Sequence, residues 1–426
     1  MAAKKPEKPK KQAVLLIHGI GEQRPMSTLR GFVNAVWKTD IDVHGHPNTG
    51  VFSKPDEISE NFELRRLTTT QDKNGIRTDF YEYYWAYMVE GTNLLHVLAW
   101  AKTLLLRPPW KVPAQLLGAW TILAGSLLLA LVFFILQTFG PESYRVAVGL
   151  PSWLTGALGL VAPVVVFPLI NNIVGDAARY LLPTPGNIKN RQAIRTRGIE
   201  LLDKLHDSGK YNRILVVGHS LGSVIGYDIL SFAWSLYNRK FCRDKPNPIL
   251  DELEKDVDEK SLDVHGYREK QRALQMELAT RDCPWLVTDF LTLGSPLAHA
   301  EVLLANHEDD LRSKQAEREL PTCPPQLEKG KFSYPSDHTS RTLHHAAVFG
   351  PTRWTNLYFP SRMTIFGDIV GGPLQPAFGW GIHDCAVKTR LRGGFFSHTL
   401  YWNLEDEEEP GSHIEELRKA LNLLND

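Results

Sequence analysis

Cysteine is scarce in this chain: Cys242, Cys283, Cys323 and Cys385 are the only four in 426 residues, and none forms a C-x-x-C pair. That spacing excludes a disulfide scaffold and a cysteine zinc site, and it points to a reducing compartment. Net charge is lacking too. Lysine plus arginine (48) equals aspartate plus glutamate (48), which argues against nucleic acid bound by overall charge, so no nucleic-acid partner is expected. A secretory leader is missing: MAAKKPEKPKK has lysines but no apolar core after them, and residues 1–12 read as a basic disordered tail. Internal repeats are absent. With 43% hydrophobic and 23% charged residues, the chain has enough apolar material for a large core.

Long apolar runs, by contrast, are present. Val112 to Pro141 and Val146 to Gly175 are each 30 residues without Asp, Glu, Lys or Arg. Each exceeds the roughly 20 residues that cross a hydrocarbon core, although Pro151, Pro163 and Pro168 mark the second as kinked or re-entrant. The expectation is a transmembrane helical hairpin over 112–175, preceded by an interfacial segment, 93–111, whose apolar stretch Asn93–Leu106 is too short to span. Lys102, Arg107 and Lys111 lie before the pair, and Arg179, Lys189, Arg191, Arg195 and Arg197 follow it. The positive-inside rule therefore places both flanks on the cytoplasmic side.

Around that insertion the pattern is α/β. Ala13–Ile17 (AVLLI) and Arg213–Val217 (RILVV) read as buried strands, Leu286–Leu293 as another, and Trp354–Phe359 as the last. Phe62–Thr70 and Thr78–Trp85 flank an Asn74-Gly75 turn, a hairpin signal. Ile194, Leu201, Leu202 and Leu205 mark one helix face, and Ile414–Leu424 a closing helix. Residues 245–281 read as a charged, solvated helical arm and 306–340 as a long surface loop. One domain in two parts, 13–92 and 176–426, with a mostly parallel sheet is expected. Its halves share a sheet only if the insertion crosses the membrane an even number of times.

The chemistry enters directly after RILVV, as Gly218-His219-Ser220-Leu221-Gly222 followed by the apolar SVIGYDIL. This is G-x-S-x-G in its required context of strand, sharp turn and helix. The turn needs small residues two before and two after the serine, because strand and helix pack closely there. It presents Ser220 at a helix N-terminus, where a developing oxyanion is favoured. The first oxyanion donor is the N–H of Leu221. The second belongs to the loop His18-Gly19-Ile20-Gly21, with Ile20 favoured and Gly21 next. For the base, His398 is preferred over His383, His344 and His345. For the acid, Asp368, which follows the last strand, is preferred over Asp384. The order Ser220, Asp368, His398 suits a triad in which the imidazole takes the serine proton and the carboxylate orients it. Nothing in the spacing demands a metal, and neither a metal nor a cofactor is expected.

These residues resemble the α/β-hydrolase superfamily. A closer likeness is to the intracellular phospholipase A1 group with a DDHD domain, carried by GHSLGSVIGYDIL (Gly218–Leu230), LTLGSPLA (Leu291–Ala298), NLYFPSRMTIFGDIVGGPL (Asn356–Leu374) and SHTLYWNLED (Ser397–Asp406). The resemblance implies that Asp368, Asp384, His398 and Asp406 match the family's namesake positions. The chain departs from the family in the long gap from Phe359 to Asp368 and in the transmembrane pair. The resulting expectation is a membrane-anchored serine hydrolase acting on carboxylic esters, with membrane lipids as substrate and surroundings. An inactive hydrolase-fold scaffold, or an acyltransferase or thioesterase on the same triad, are the alternatives.

Overall fold

The computed structural model describes residues 11–19, 24–44, 50–88, 185–238, 247–280, 285–335, 341–361, 367–368, 370–388, 397–404 and 411–425, with a few isolated positions between 108 and 181. Both long apolar runs and Asn93–Leu106 fall almost wholly outside them. Among the described residues no helix is long and apolar enough to cross a membrane.

An eight-stranded, mostly parallel sheet organises the chain, in the order β10-β9-β6-β5-β1-β4-β3-β2. The strands are β1 (Lys11–Ile17), β2 (Val51–Pro55), β3 (Arg65–Gln71), β4 (Arg77–Tyr83), β5 (Arg213–His219), β6 (Val287–Leu293), β9 (Arg353–Tyr358) and β10 (His383–Ala386). A separate small hairpin pairs β7 (Ser333–Pro335) with β8 (Arg341–Leu343). From β4 to β10 the neighbours are parallel, whereas β3 runs antiparallel to β4 across the Asn74-Gly75 turn. Central strands are apolar on both faces, as a sheet covered on both sides requires. Ala13, Leu15 and Ile17 pack with α2 (Pro185–Asp207) and α3 (Leu221–Tyr237). Val14 and Leu16 instead join a second core with α1 (Ser27–Val33) and the closing helix His413–Leu421. β1 lies between β4 and β5, so the winding reverses beside it. The carboxyl ends of β1 and β5 thus lie at the switch point of the sheet, the place where open α/β sheets bind their ligands.

Three expectations change. Gln12 is buried, donating to Thr78 Oγ1 and to the Leu423 carbonyl, and Lys11 pairs with Asp79, so the strand starts at Lys11 and takes in the end of the tail. The charged arm is two helices docked on the core, α4 (Pro248–Asp258) and α5 (Val264–Thr280). Leu250, Leu253 and Val257 on α4, and Tyr267, Leu274 and Leu278 on α5, form buried stripes at helical spacing. Gln271 also donates to the carbonyls of Phe349 and Thr352. Most of the charge there lies on the outer faces; Glu254 is the buried exception, accepting from the N–H groups of Phe332 and Ser333. The expected loop 306–340 contains α6 (Glu308–Ala316) and strand β7. Only Leu311 and Gln315 of α6 are buried, too few to show a period, while its acidic first turn suits the helix dipole.

At the amino end of the sheet, the buried Asp289 carboxylate holds Arg213 at 2.7 Å and Arg353 at 2.8 Å, linking β5, β6 and β9. Burial alone would raise this carboxyl, but the two guanidinium groups outweigh it and keep it below the usual carboxylate range. An Asp289→Asn chain, with two buried cations left facing each other, is expected to lose about 3–5 kcal/mol. The denaturant midpoint of wild type and variant measures this, and an unchanged midpoint contradicts it.

Candidate active site

The site is built where β5 turns into α3. Ser220 has φ 53° and ψ −129°, a conformation that costs a non-glycine residue about 1–3 kcal/mol. The surroundings hold it there: its N–H donates to the Leu293 carbonyl at 2.9 Å, and its own carbonyl accepts from the Ser223 N–H. The flanking glycines are required by contact. A Cβ on Gly222 would lie 2.2 Å from the Ile17 carbonyl oxygen, and one on Gly218 would lie 2.5 Å from Ser223 Cα. Gly19, in the loop after β1, passes so near that its Cβ would come within 2.8 Å of Ser220 Cβ.

Around the serine the structure brings together three of the residues singled out in the sequence. Ser220 Oγ lies 2.9 Å from His398 Nε2, and His398 Nδ1 lies 3.0 and 2.9 Å from the two Asp368 oxygens. Nδ1 faces a carboxylate and therefore carries the proton, which leaves Nε2 free to accept from the serine hydroxyl. Asp368 is fully buried. Burial pushes its carboxyl up, but His398, the Tyr401 hydroxyl and the Gly371 N–H more than offset that and hold it at about 2. The contribution of this carboxylate to stability is therefore complete above its unfolded value of about 3.9. It is lost as the pH falls from there through about 2.

Asp384 is placed elsewhere. Its oxygens accept from the N–H groups of Leu374 and Gln375 and from Asn356 Nδ2, and Asn356 also donates to the Gly372 carbonyl. The carboxylate thereby ties the chain segment that follows Asp368 to β9 and β10. The rival histidines have other neighbours. His344 meets the Gln326 carbonyl, His345 the Arg318 carbonyl, and His383 lies in β10 beside Cys385. Of the expected oxyanion donors, Leu221 is the first residue of α3, so its N–H has no carbonyl partner within the helix. Ile20, Gly21 and Asp406 lie outside the described residues.

Several residues complete the site without having been singled out for it. Tyr401 donates its hydroxyl to Asp368 Oδ2 at 2.7 Å. It stands three positions after His398, and that proximity was the available signal. Gly294, at the end of β6, has φ 57°, and a Cβ there would strike Tyr401, Asp368 and His398 at 2.7–3.0 Å. His219, the x before the serine, points its Nε2 at the His398 carbonyl at 2.9 Å, so Nε2 carries the proton. Burial, then the nearby His398, lowers its basicity to about 3, so it stays neutral over the working pH range. Its ring packs against those of His398 and Trp402. On the opposite wall His18 is also held neutral, at about 4, by burial. Its Nδ1 donates to the Gly19 carbonyl at 2.8 Å, its Nε2 accepts from the Trp85 N–H, and its ring stacks on Trp85. This fixes the start of the loop from which the second oxyanion donor is expected.

Two substitutions probe this scaffold. Tyr401→Phe removes one donor from Asp368 and is expected to raise that carboxyl and cut kcat about tenfold with KM unchanged. His219→Gln, which keeps a donor near the Nε2 position, is expected to retain most of the kcat that His219→Phe loses; equal losses contradict the role of the hydrogen bond. Compared with known proteins, the chain matches no family model, no curated protein and no solved structure.

Proposed function

We propose that the chain is a serine hydrolase of α/β-hydrolase type, anchored in a membrane by the apolar runs 112–141 and 146–175, that cleaves carboxylic esters of lipids on the cytoplasmic side. The observation that carries the reading is the continuous hydrogen-bonded chain from Ser220 through His398 to Asp368, set on a strained strand-to-helix turn. The likeness of GHSLG, LTLGSPLA and SHTLYWNLED to the DDHD phospholipase A1 group supports lipid acyl esters as the substrate class. The apolar runs support a site held near acyl chains.

In this mechanism Ser220 Oγ attacks the ester carbonyl while His398 Nε2 takes its proton. The carbonyl π electrons move onto oxygen, where the Leu221 N–H and a donor from the loop after Gly19 receive them. Collapse expels the alcohol, which leaves with the proton from His398, and the acyl group stays on Ser220. Water then repeats the sequence, with His398 as base, and releases the carboxylic acid and free serine. Asp368 remains a carboxylate throughout. It holds the tautomer that presents Nε2 to the serine, and it stabilises the transient imidazolium. The Tyr401 hydroxyl and the Gly371 N–H help to keep it ionised.

A fluorophosphonate probe is expected to label Ser220, as mapped by peptide mass. Ser220→Ala is expected to abolish labelling and lower ester hydrolysis by about 10³-fold or more. A folded Ser220→Ala protein with full esterase activity overturns the reading.

A further inference from the structure

We propose that the outer face of α2 and α3 docks on the anionic head groups of a lipid bilayer. The inference rests on the membrane-anchored reading above and adds which side of the molecule meets the lipid.

Charge is the first observation. From 185 to 199, α2 carries Lys189, Arg191, Arg195 and Arg197 and no acidic residue. Two of these cations are compensated. Arg195 meets Asp228 at 2.6 Å, and Arg197 meets Glu200 at 3.1 Å. Among the described residues Lys189 and Arg191 have no such carboxylate. The Arg191 guanidinium lies 5.7 Å from the Tyr180 ring centroid, and its buried Nε lacks a hydrogen-bond partner. Burial, then the neighbouring Arg195, disfavours its charge, and Asp228 offsets them only in part. These cations also sit in the half of the helix nearer its positive dipole end, so the fold itself gives them little compensation. A layer of phosphate and carboxylate groups outside the protein supplies it.

The second observation is the apolar surface beside them. Ile188 is 54% exposed, Phe232 45% and Leu236 56%. Phe232 and Leu236 are one turn apart on α3, and Arg195 lies over the Phe232 ring at 5.0 Å. Ile188, Arg191 and Arg195 follow one another at three- and four-residue spacing along α2. Scattered exposed apolar residues need no explanation. Apolar side chains interleaved with cations, of which Lys189 and Arg191 have no ion-pair partner among the described residues, match the boundary between head groups and acyl chains.

The third is the covalent tether. Tyr180 is buried against this helix pair, with its hydroxyl donating to Asp228 Oδ2 at 2.6 Å. The apolar run ends at Gly175, five residues earlier. Five residues reach at most about 17 Å, so a run embedded in a bilayer brings this face to its surface. The tether is what favours a bilayer over a protein partner.

The test places an environment-sensitive fluorescent amino acid at position 236 of the full chain, and at position 276 on α5, which is also exposed (59%), as a control. Each protein is reconstituted with vesicles of phosphatidylcholine, with or without phosphatidylserine, containing nitroxide-labelled lipid. Quenching at 236 but not 276, stronger with phosphatidylserine, is expected. Lys189→Gln with Arg191→Gln is expected to weaken docking roughly 30-fold, at the attraction typical of two basic residues near an anionic surface. No quenching at 236 in a chain that floats with the vesicles overturns the assigned face and leaves the anchoring intact. Equal quenching with and without phosphatidylserine overturns the role of charge. A chain that neither floats nor is quenched overturns both docking and anchoring. None of these readouts involves ester hydrolysis, so the fluorophosphonate result judges the hydrolase reading separately.

Discussion

The contact between Gly222 and the carbonyl oxygens of Ile17 and His18 sets the geometry on which the remainder of the site depends. Helix α3 can begin directly at the end of β5 only because no side chain stands between it and β1. That closeness forces Ser220 into a positive-φ turn, brings Gly19 against its Cβ, and aligns the first N–H of α3 with the loop after β1. One packing constraint supplies three features that the proposed acyl transfer calls for: a serine on a sharp turn, a helix N-terminus behind it, and the start of a loop beside it. The strain at Ser220 is balanced by the hydrogen bonds it makes to β6 and to the first turn of α3.

A second layer of support comes from β6 and β9. Gly294 ends β6 with a positive φ, and its bare Cα leaves the space that Asp368, His398 and Tyr401 share. Asn356 and Asp384 fix the chain after Asp368 from below. The acid is thus set by residues from two neighbouring strands, while the histidine is set by the segment it occupies and by His219. Buried and half-buried polar side chains of this region form two hydrogen-bonded groups, Ser220 with His398, Asp368 and Tyr401, and Thr292 with Asn356 and Asp384. Such networks specify a single arrangement more strictly than apolar packing does.

Much of this was legible in the sequence, and for physical reasons. AVLLI and RILVV are buried on both faces and so appear as unbroken apolar runs. The elbow is legible because its glycines are demanded by contact. Asp368 and His398 rest in the sequence on chain order, on the place of Asp368 after the last strand and on a resemblance, signals that the hydrogen bonds supplement with geometry. What stayed hidden was of two kinds. Helices α4 and α5 carry their apolar stripes inside a heavily charged segment, so average polarity outweighed the period. Tyr401, His219 and Gly294 act through a single atom or a missing one, and neither leaves a periodic trace. Asp384 is the instructive case: its resemblance to a family position was as good as that of Asp368, although only Asp368 follows the last strand expected from the sequence. Only the three-dimensional path of the chain shows its carboxylate turned toward backbone N–H groups.

His219 adjoins Ser220 in the chain while its imidazole grips the backbone of His398. Nucleophile and base are therefore parts of one rigid body, joined by a peptide bond on one side and a hydrogen bond on the other. In the proposed reaction this clasp keeps Ser220 Oγ and His398 Nε2, 2.9 Å apart, in register for proton transfer.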